Sequence, residues 1–336
     1  MPLQDLLLHA RQKVLPVLSD TVSAMPDPIG RIIGYHFGFV DAEGQPSHGS
    51  PGKLLRPALV LECARGVAGQ SDKAIPAAAA VEMIHGFSLL HDDIIDRDRT
   101  RRHRPTAWVV FGADQALLAG DALLAKAHEV FLFAQPAPPR ASVDVFRAAI
   151  QSLVLGEAQD VQYARARHCT VEEYEEMALR KTGSLLGAAC AVGAFAAGAD
   201  EQQARAMQRF GEQLGLAFQI RDDILGTYGD PAVTGKPVGG DLMHRKKSYC
   251  LLHALTGEGA VHDHLRRLYA CRAEITEREA ADMVRALRNS GGEEAATRAV
   301  AAHMDQAVRH LEASGLPPES VRRLVGSARE IAGLAA

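Results

Sequence analysis

Patterns that build strands are nearly missing from this chain, whereas patterns that build helices recur throughout it. Alanine-rich stretches fall at residues 75–80, 112–127, 187–199 and 293–302. Alanine is the best intrinsic helix former, and its small side chain lets neighbouring helices approach closely. Strict alternation of apolar and polar residues, the mark of a half-buried strand, is almost absent. Its nearest approach, Trp108-Val109-Val110-Phe111, is too short to support a sheet. Glycine and proline punctuate the helical runs at residues 41–52, 135–140, 226–240, 291–292 and 315–318. The third of these holds five glycines and two prolines, and is expected to be an irregular loop. No long linker and no repeat of fixed period interrupts the series. The expectation is an all-α fold, a single helical domain over residues 1–336.

Two acidic clusters lie inside apolar sequence. The first is Leu89-Leu90-His91-Asp92-Asp93-Ile94-Ile95-Asp96, and the second is Phe218-Gln219-Ile220-Arg221-Asp222-Asp223-Ile224-Leu225. Carboxylates beside Leu, Ile and Phe are costly to bury unless a cation neutralises them. On a helix Asp92 and Asp96 share one face, because residues four apart lie one above the other. Hard oxygen ligands arranged in this way suit magnesium that also holds a phosphate. The alternative, a solvated acidic face, fits poorly with the flanking Leu89, Leu90, Ile94 and Ile95.

Bulk properties exclude several other classes. A net charge of −4 over 336 residues argues against a nucleic-acid binder, which would usually be strongly basic. The five cysteines are scattered and form no CxxC pair, so neither a disulfide framework nor a zinc site is indicated. They read as reduced thiols of a cytoplasmic protein. Residues 1–19 are interrupted by His9, Arg11, Gln12 and Lys13, and so read as an amphipathic helix rather than a signal peptide. No uncharged apolar run reaches the ~18 residues of a transmembrane span.

The motifs in order are Gly52-Lys53-x-x-Arg56-Pro57, the HDDIID cluster, Arg101-Arg102, Lys181-Thr182-Gly183, FQIRDD, then Gly229-Asp230 and Gly235-Lys236. Together they resemble the trans-isoprenyl diphosphate synthase (polyprenyl synthetase) family, in particular its geranylgeranyl diphosphate synthases, with motifs in register from Lys53 to Lys246. The resemblance implies a large helical bundle around a central active-site cavity, and a homodimer. It implies three magnesium ions, held by Asp92, Asp93 and Asp96 and by Asp222 and Asp223. Lys53, Arg56, His85 and Arg102 resemble the family's pocket for isopentenyl diphosphate. Arg101, Lys181, Lys236 and Lys246 resemble its contacts to the allylic diphosphate. Thr182 and Gln219 correspond to the neutral oxygens beside the allylic cation. Arginine's planar fork and lysine's point charge both suit phosphate oxygens.

Three departures from the family pattern stand out. Gly226 occupies the place where a third aspartate is common, Glu157 replaces a usual glutamine in Gly156-Glu-Ala-Gln-Asp160, and His103 falls where glycine is usual. Chain length is expected to be limited beneath the first cluster. Phe87 is the fifth residue before Asp92, with Ser88 and Ile84 on the stripe one and two turns before it. A bulky residue at 87 and an uninterrupted DDIID resemble synthases that stop at twenty carbons, so geranylgeranyl diphosphate is the expected product. The alternatives are farnesyl diphosphate, a class I terpene cyclase of the same fold, or a non-catalytic subunit. A cyclase needs one diphosphate site, whereas the basic residues here make two.

Overall fold

A computed structural model describes residues 3–47, 49–166, 168–229, 239–243, 245–270 and 275–334. Helices dominate, as expected. The segment Trp108–Phe111 belongs to the short helix α5 (Ala107–Phe111). Among the described residues the sole sheet is a hairpin, β1 (Thr100–Arg101) against β2 (Arg104–Pro105). Its two turn residues, Arg102 and His103, both have positive φ, 52° and 62°. A two-residue turn of this hand matches the strand twist, and glycine enters it with least strain. That explains why a glycine is usual at position 103.

Two compact units are formed: one from Met1–Phe146, Ala188–Met207 and Ser314–Leu324, the other from Arg147–Gly187, Gln208–Ala313 and Val325–Ala336. In the first, α1 (Leu3–Ser23) buries Leu6, Ala10, Val14, Leu18 and Val22, a stripe repeating every fourth residue. That stripe packs on α3 (Leu55–Ala68) and on α4 (Ile75–Ile95). Helix α2 (Ile29–Phe37) and helix α6 (Ala113–Leu132) complete this core, and α4 with α6 is its most extensive helix pair. The segment Asp72–Ile95 is long and apolar enough by composition to cross a membrane, but 67% of its most apolar window is buried inside the protein, as a core helix is. Small residues permit tight packing here. A Cβ at Gly86 of α4 would lie 2.7 Å from the Phe37 ring.

The second unit takes in residues 147–165 of α7 (Arg140–Arg165), α8 (Val171–Ala178), the start of α9 (Ser184–Ala196) and residues 208–228 of α10 (Glu201–Tyr228). A short helix, α11 (Gly240–Met243), precedes α12 (Tyr249–Thr256), α13 (Ala260–Ala270), α14 (Glu277–Arg288) and α15 (Gly292–Glu312). The last helix, α16, spans Pro318–Ala332. Thr170 caps α8 by accepting from the Glu173 amide, while the Glu173 carboxylate accepts from the Thr170 amide. Such reciprocal caps satisfy two otherwise unpaired donors. Leu242, Leu251, Leu265, Met283 and Leu287 form a buried cluster in this unit. Helix α10 runs through Tyr228, so the loop expected from Gly226 begins later. Glycine's low helix propensity is overridden there by a helix already 25 residues long. Residues 230–238 lie outside the described residues.

Candidate active site

Helix α4 carries most of the chemistry of the first unit. Asp92 and Asp96 are both half-buried at its C-terminal end, and the Asp96 amide donates to the Asp92 carbonyl at 2.8 Å. The helical register therefore sets the two carboxylates one above the other. Asp93 points elsewhere. It is 2% exposed, and its Oδ1 accepts from both Nε and Nη2 of Arg101, each at 2.7 Å. Its Oδ2 is buried without a hydrogen-bond partner. Burial pushes the Asp93 carboxyl up to about 6, against the opposing pull of Arg101.

A second charge cluster lies along the same helix, towards its N-terminus. Glu82 is 2% exposed, and its Oε2 has no hydrogen-bond partner. Burial raises its carboxyl to about 7, while the positive charges of Arg56 and Arg102 act to lower it. Arg56, one residue into α3, has a buried Nε that is likewise without a partner. His85, one turn after Glu82, is held well below its ordinary range by burial and then by Arg56, Arg102, Arg101 and His36. It is neutral near pH 7 and offers a ring N–H beside two guanidinium groups.

Arg102 reaches this cluster from the hairpin turn. Its Nη1 donates to the Ser50 carbonyl at 3.3 Å, and a Cβ at Gly52 would lie 2.6 Å from its Nη2. Gly52, with φ of 101°, is thus favoured by the backbone, and a side chain there would displace the Arg102 guanidinium. The Gly52 carbonyl accepts from Arg11 of α1. Lys53 is exposed. The expected isopentenyl set therefore falls within one unit, joined by Glu82, which the sequence reading passed over. Nothing local in the sequence marks Glu82, because a single glutamate on a helix reads as a solvated position until the arginines opposite it are known.

In the second unit the chain between α8 and α9 widens into one π-helical turn, Leu179–Gly183. Such bulges are frequent at functional sites because they re-aim side chains. Lys181 and Thr182 lie in this turn. The Lys181 ammonium is 2.7 Å from Glu157 Oε2 and 2.7 Å from Asp160 Oδ2, both on α7. Gly156 permits the approach, since a Cβ there would lie 2.3 Å from the Lys181 amide nitrogen. Thr182 donates to Gln219 Oε1 at 2.7 Å, and Gln219 Nε2 donates to Asp223 Oδ1 at 3.2 Å. The Tyr249 amide donates to Asp223 Oδ2 at 2.9 Å. These bonds use both Asp223 oxygens, whereas Asp222 is exposed.

Lys246 is half-buried, and Lys236 lies outside the described residues, as does Asp230. Lys247, also passed over in the sequence, is 5% exposed and donates to the Tyr269 hydroxyl at 2.9 Å. That hydroxyl donates to the Arg245 carbonyl at 2.7 Å, so the residues on both sides of Lys246 are tied to α13.

Magnesium fits this donor set. The available ligands are carboxylate oxygens, and among the described residues no three His, Cys, Asp or Glu side chains converge as a ready-made cage. Magnesium is commonly bound through one or two carboxylates, with waters and substrate phosphates filling the remaining positions. Asp92 with Asp96 is such a pair.

The sequence pattern of the polyprenyl synthetase family matches residues 44–287. The chain is 38% identical to a geranylgeranyl diphosphate synthase of Mycobacterium tuberculosis, over 94% of this chain and 89% of the relative. It is 35% identical to a (2E,6E)-farnesyl diphosphate synthase of Mycobacterium bovis, with the same coverage of each chain. Among solved structures, a polyprenyl synthetase from Streptomyces coelicolor superposes with a TM-score of 0.91 at 38% identity, over 97% of this chain and 98% of that one.

Proposed function

Because the chain belongs to the polyprenyl synthetase family and is a prenyltransferase that elongates prenyl chains, we propose that it condenses isopentenyl diphosphate with allylic diphosphates, in a magnesium-dependent reaction, up to geranylgeranyl diphosphate. The observation that carries this reading is helix α4. Over its last four turns it presents Glu82 facing Arg56 and Arg102, then His85, Phe87, Asp92 and Asp96. This arrangement supports a reading in which one diphosphate, the metal and a hydrocarbon end-stop are all served from one rigid element.

Asp92, Asp96 and Asp222 would hold magnesium, which would supply Lewis-acid neutralisation of the diphosphate charge. Arg56, Arg102, Lys53 and neutral His85 bind and orient isopentenyl diphosphate. Arg101, held by Asp93, and Lys181, Lys236 and Lys246 bind the allylic diphosphate. Asp223 orients Gln219, which with Thr182 turns neutral oxygens toward the developing cation. Such oxygens stabilise positive charge without capturing the carbon as a strong nucleophile would. Phe87 limits growth, with Ile84 and Ser88 beneath Asp92. Both units together form one isoprenoid synthase domain. Leu117, Leu118, Leu132 and Phe133 are large exposed apolar side chains of the first unit, which supports a homodimer.

Farnesyl diphosphate is the second reading, favoured by the 35% identity to a farnesyl diphosphate synthase. The test is incubation of the purified protein with magnesium, isopentenyl diphosphate and a ten- or fifteen-carbon allylic diphosphate, followed by mass spectrometry. A twenty-carbon diphosphate that requires isopentenyl diphosphate supports the proposal. A fifteen-carbon end point moves the product to the second reading. Hydrocarbon formed without isopentenyl diphosphate refutes both.

A further inference from the structure

Phe87 does not stand alone. It is 6% exposed, and its ring meets that of His91 edge-on, with centroids 4.8 Å apart and planes at 70°. His91 lies one turn further along the same stripe of α4. Its Nε2 is 3.1 Å from the Leu117 carbonyl oxygen of α6. A carbonyl can only accept, so Nε2 carries the proton and donates. Gly120 of α6 makes the room for the imidazole. A Cβ at that position would lie 2.3 Å from His91 Nε2 and 2.5 Å from its Cδ2. The imidazole therefore fills a notch in α6, fixed by a hydrogen bond at its tip and by backbone beneath it. Asp121 Oδ1 stands 3.7 Å from the same nitrogen.

We propose that His91 is a positioning residue for product length, holding the Phe87 ring as an end-stop from the notch at Gly120. The proposal rests on the end-stop reading of Phe87 given above. A flat ring clears the way for a growing prenyl tail by rotating about its side-chain bonds. In the direction of His91 that rotation meets the imidazole, which is backed by the Leu117 carbonyl and by the Gly120 backbone. Without the imidazole, Phe87 gains a space to turn into, and tails longer than twenty carbons are accommodated. An edge-to-face contact of this kind alters the partition between stopping and elongating by roughly two- to tenfold.

The test compares the products of the wild-type protein, F87A, H91A, H91Q and F87A/H91A. Each is supplied with magnesium, farnesyl diphosphate and excess isopentenyl diphosphate, and product lengths are read by mass spectrometry. Glutamine keeps a donor near the Leu117 carbonyl but lacks the ring, so H91Q serves as the reading wherever H91A does not fold. A smaller folded fraction lowers the rate but leaves the product spectrum of the folded enzyme unchanged. F87A, H91A and H91Q are all expected to raise the ratio of twenty-five- to twenty-carbon product. The double variant is expected to go no further than F87A, because His91 acts through Phe87. If F87A lengthens the product while both His91 variants keep the wild-type spectrum, the inference is wrong and the end-stop reading stands. If F87A leaves the spectrum unchanged, the end-stop reading itself fails, and the inference with it.

Discussion

Replacing Glu82 by glutamine should stabilise the protein, and by an amount that grows with pH. The folded-state carboxyl is raised to about 7 from an ordinary 4.5, chiefly by burial. Below the unfolded value the carboxyl is protonated in both states and adds no penalty. Between 4.5 and 7 the unfolded chain releases its proton first, so the wild-type protein loses stability as pH rises; above 7 the loss levels off. Each pKa unit is worth about 1.4 kcal/mol, which gives a penalty on the order of 1 kcal/mol at pH 5.5 and on the order of 3 kcal/mol at pH 8.5. The pull of Arg56 and Arg102 is already contained in the raised value, so E82Q should recover a penalty of this order. At about 2.1 cal/mol/K of unfolding entropy per residue, the 336-residue chain has a melting entropy of about 0.7 kcal/mol/K. E82Q should therefore melt about 1 °C above wild type at pH 5.5 and about 4 °C above it at pH 8.5. Thermal unfolding followed by circular dichroism across that range is the assay. A difference that does not change with pH, or a lower melting temperature for E82Q at pH 8.5, would refute the argument that Glu82 is a buried acid held near arginines.

Three further outcomes follow from the site. D92N should lower kcat by about 10²-fold or more, since each metal ligand supports several kcal/mol of charge stabilisation; a loss under threefold in steady-state assays would remove Asp92 from the metal set. E157Q frees Lys181 from one of its two carboxylates, and should lower KM for the allylic diphosphate roughly fivefold, the equivalent of a partly buried ion pair of about 1 kcal/mol. An unchanged or higher KM would mean that Glu157 orients Lys181 rather than competing for it. H103G should stabilise the hairpin by about 1 kcal/mol, because a left-handed backbone strains a residue with a Cβ, and denaturant midpoints of H103G and H103A would differ in that direction.

What the sequence disclosed, and what it did not, follows from the range of the interactions. Asp92 and Asp96 were legible because four-residue spacing fixes a shared face wherever a helix forms, and an alanine-rich, strandless neighbourhood leaves little else to form. His103 was legible as a departure because glycine is usual at that place in the family pattern, and its φ of 62° supplies the physical reason. Glu82 was not legible. A single glutamate among Ala78, Ala79, Val81 and Met83 reads as the one solvated position of an amphipathic helix until Arg56 and Arg102 are known to face it. Asp93 shows the same limit from the other side: adjacent to Asp92 in sequence, it turns about 100° away around the helix and meets Arg101 instead. The π-helical turn at Leu179–Gly183 has no spacing signature, yet it carries both Lys181 and Thr182. The Thr182–Gln219 hydrogen bond joins residues 37 apart, through a close approach that Gly183 and Gly215 permit. Local periodicity thus identifies which carboxylates share a face, but only the packing of one helix on another decides what each carboxylate meets, as Asp93 meets Arg101. In the second cluster both Asp223 oxygens accept hydrogen bonds, from Gln219 and from the Tyr249 amide. On the proposed reading D222N should therefore raise the magnesium concentration needed for half-maximal rate more than D223N does, and an equal or smaller effect would count against Asp222 as the metal ligand.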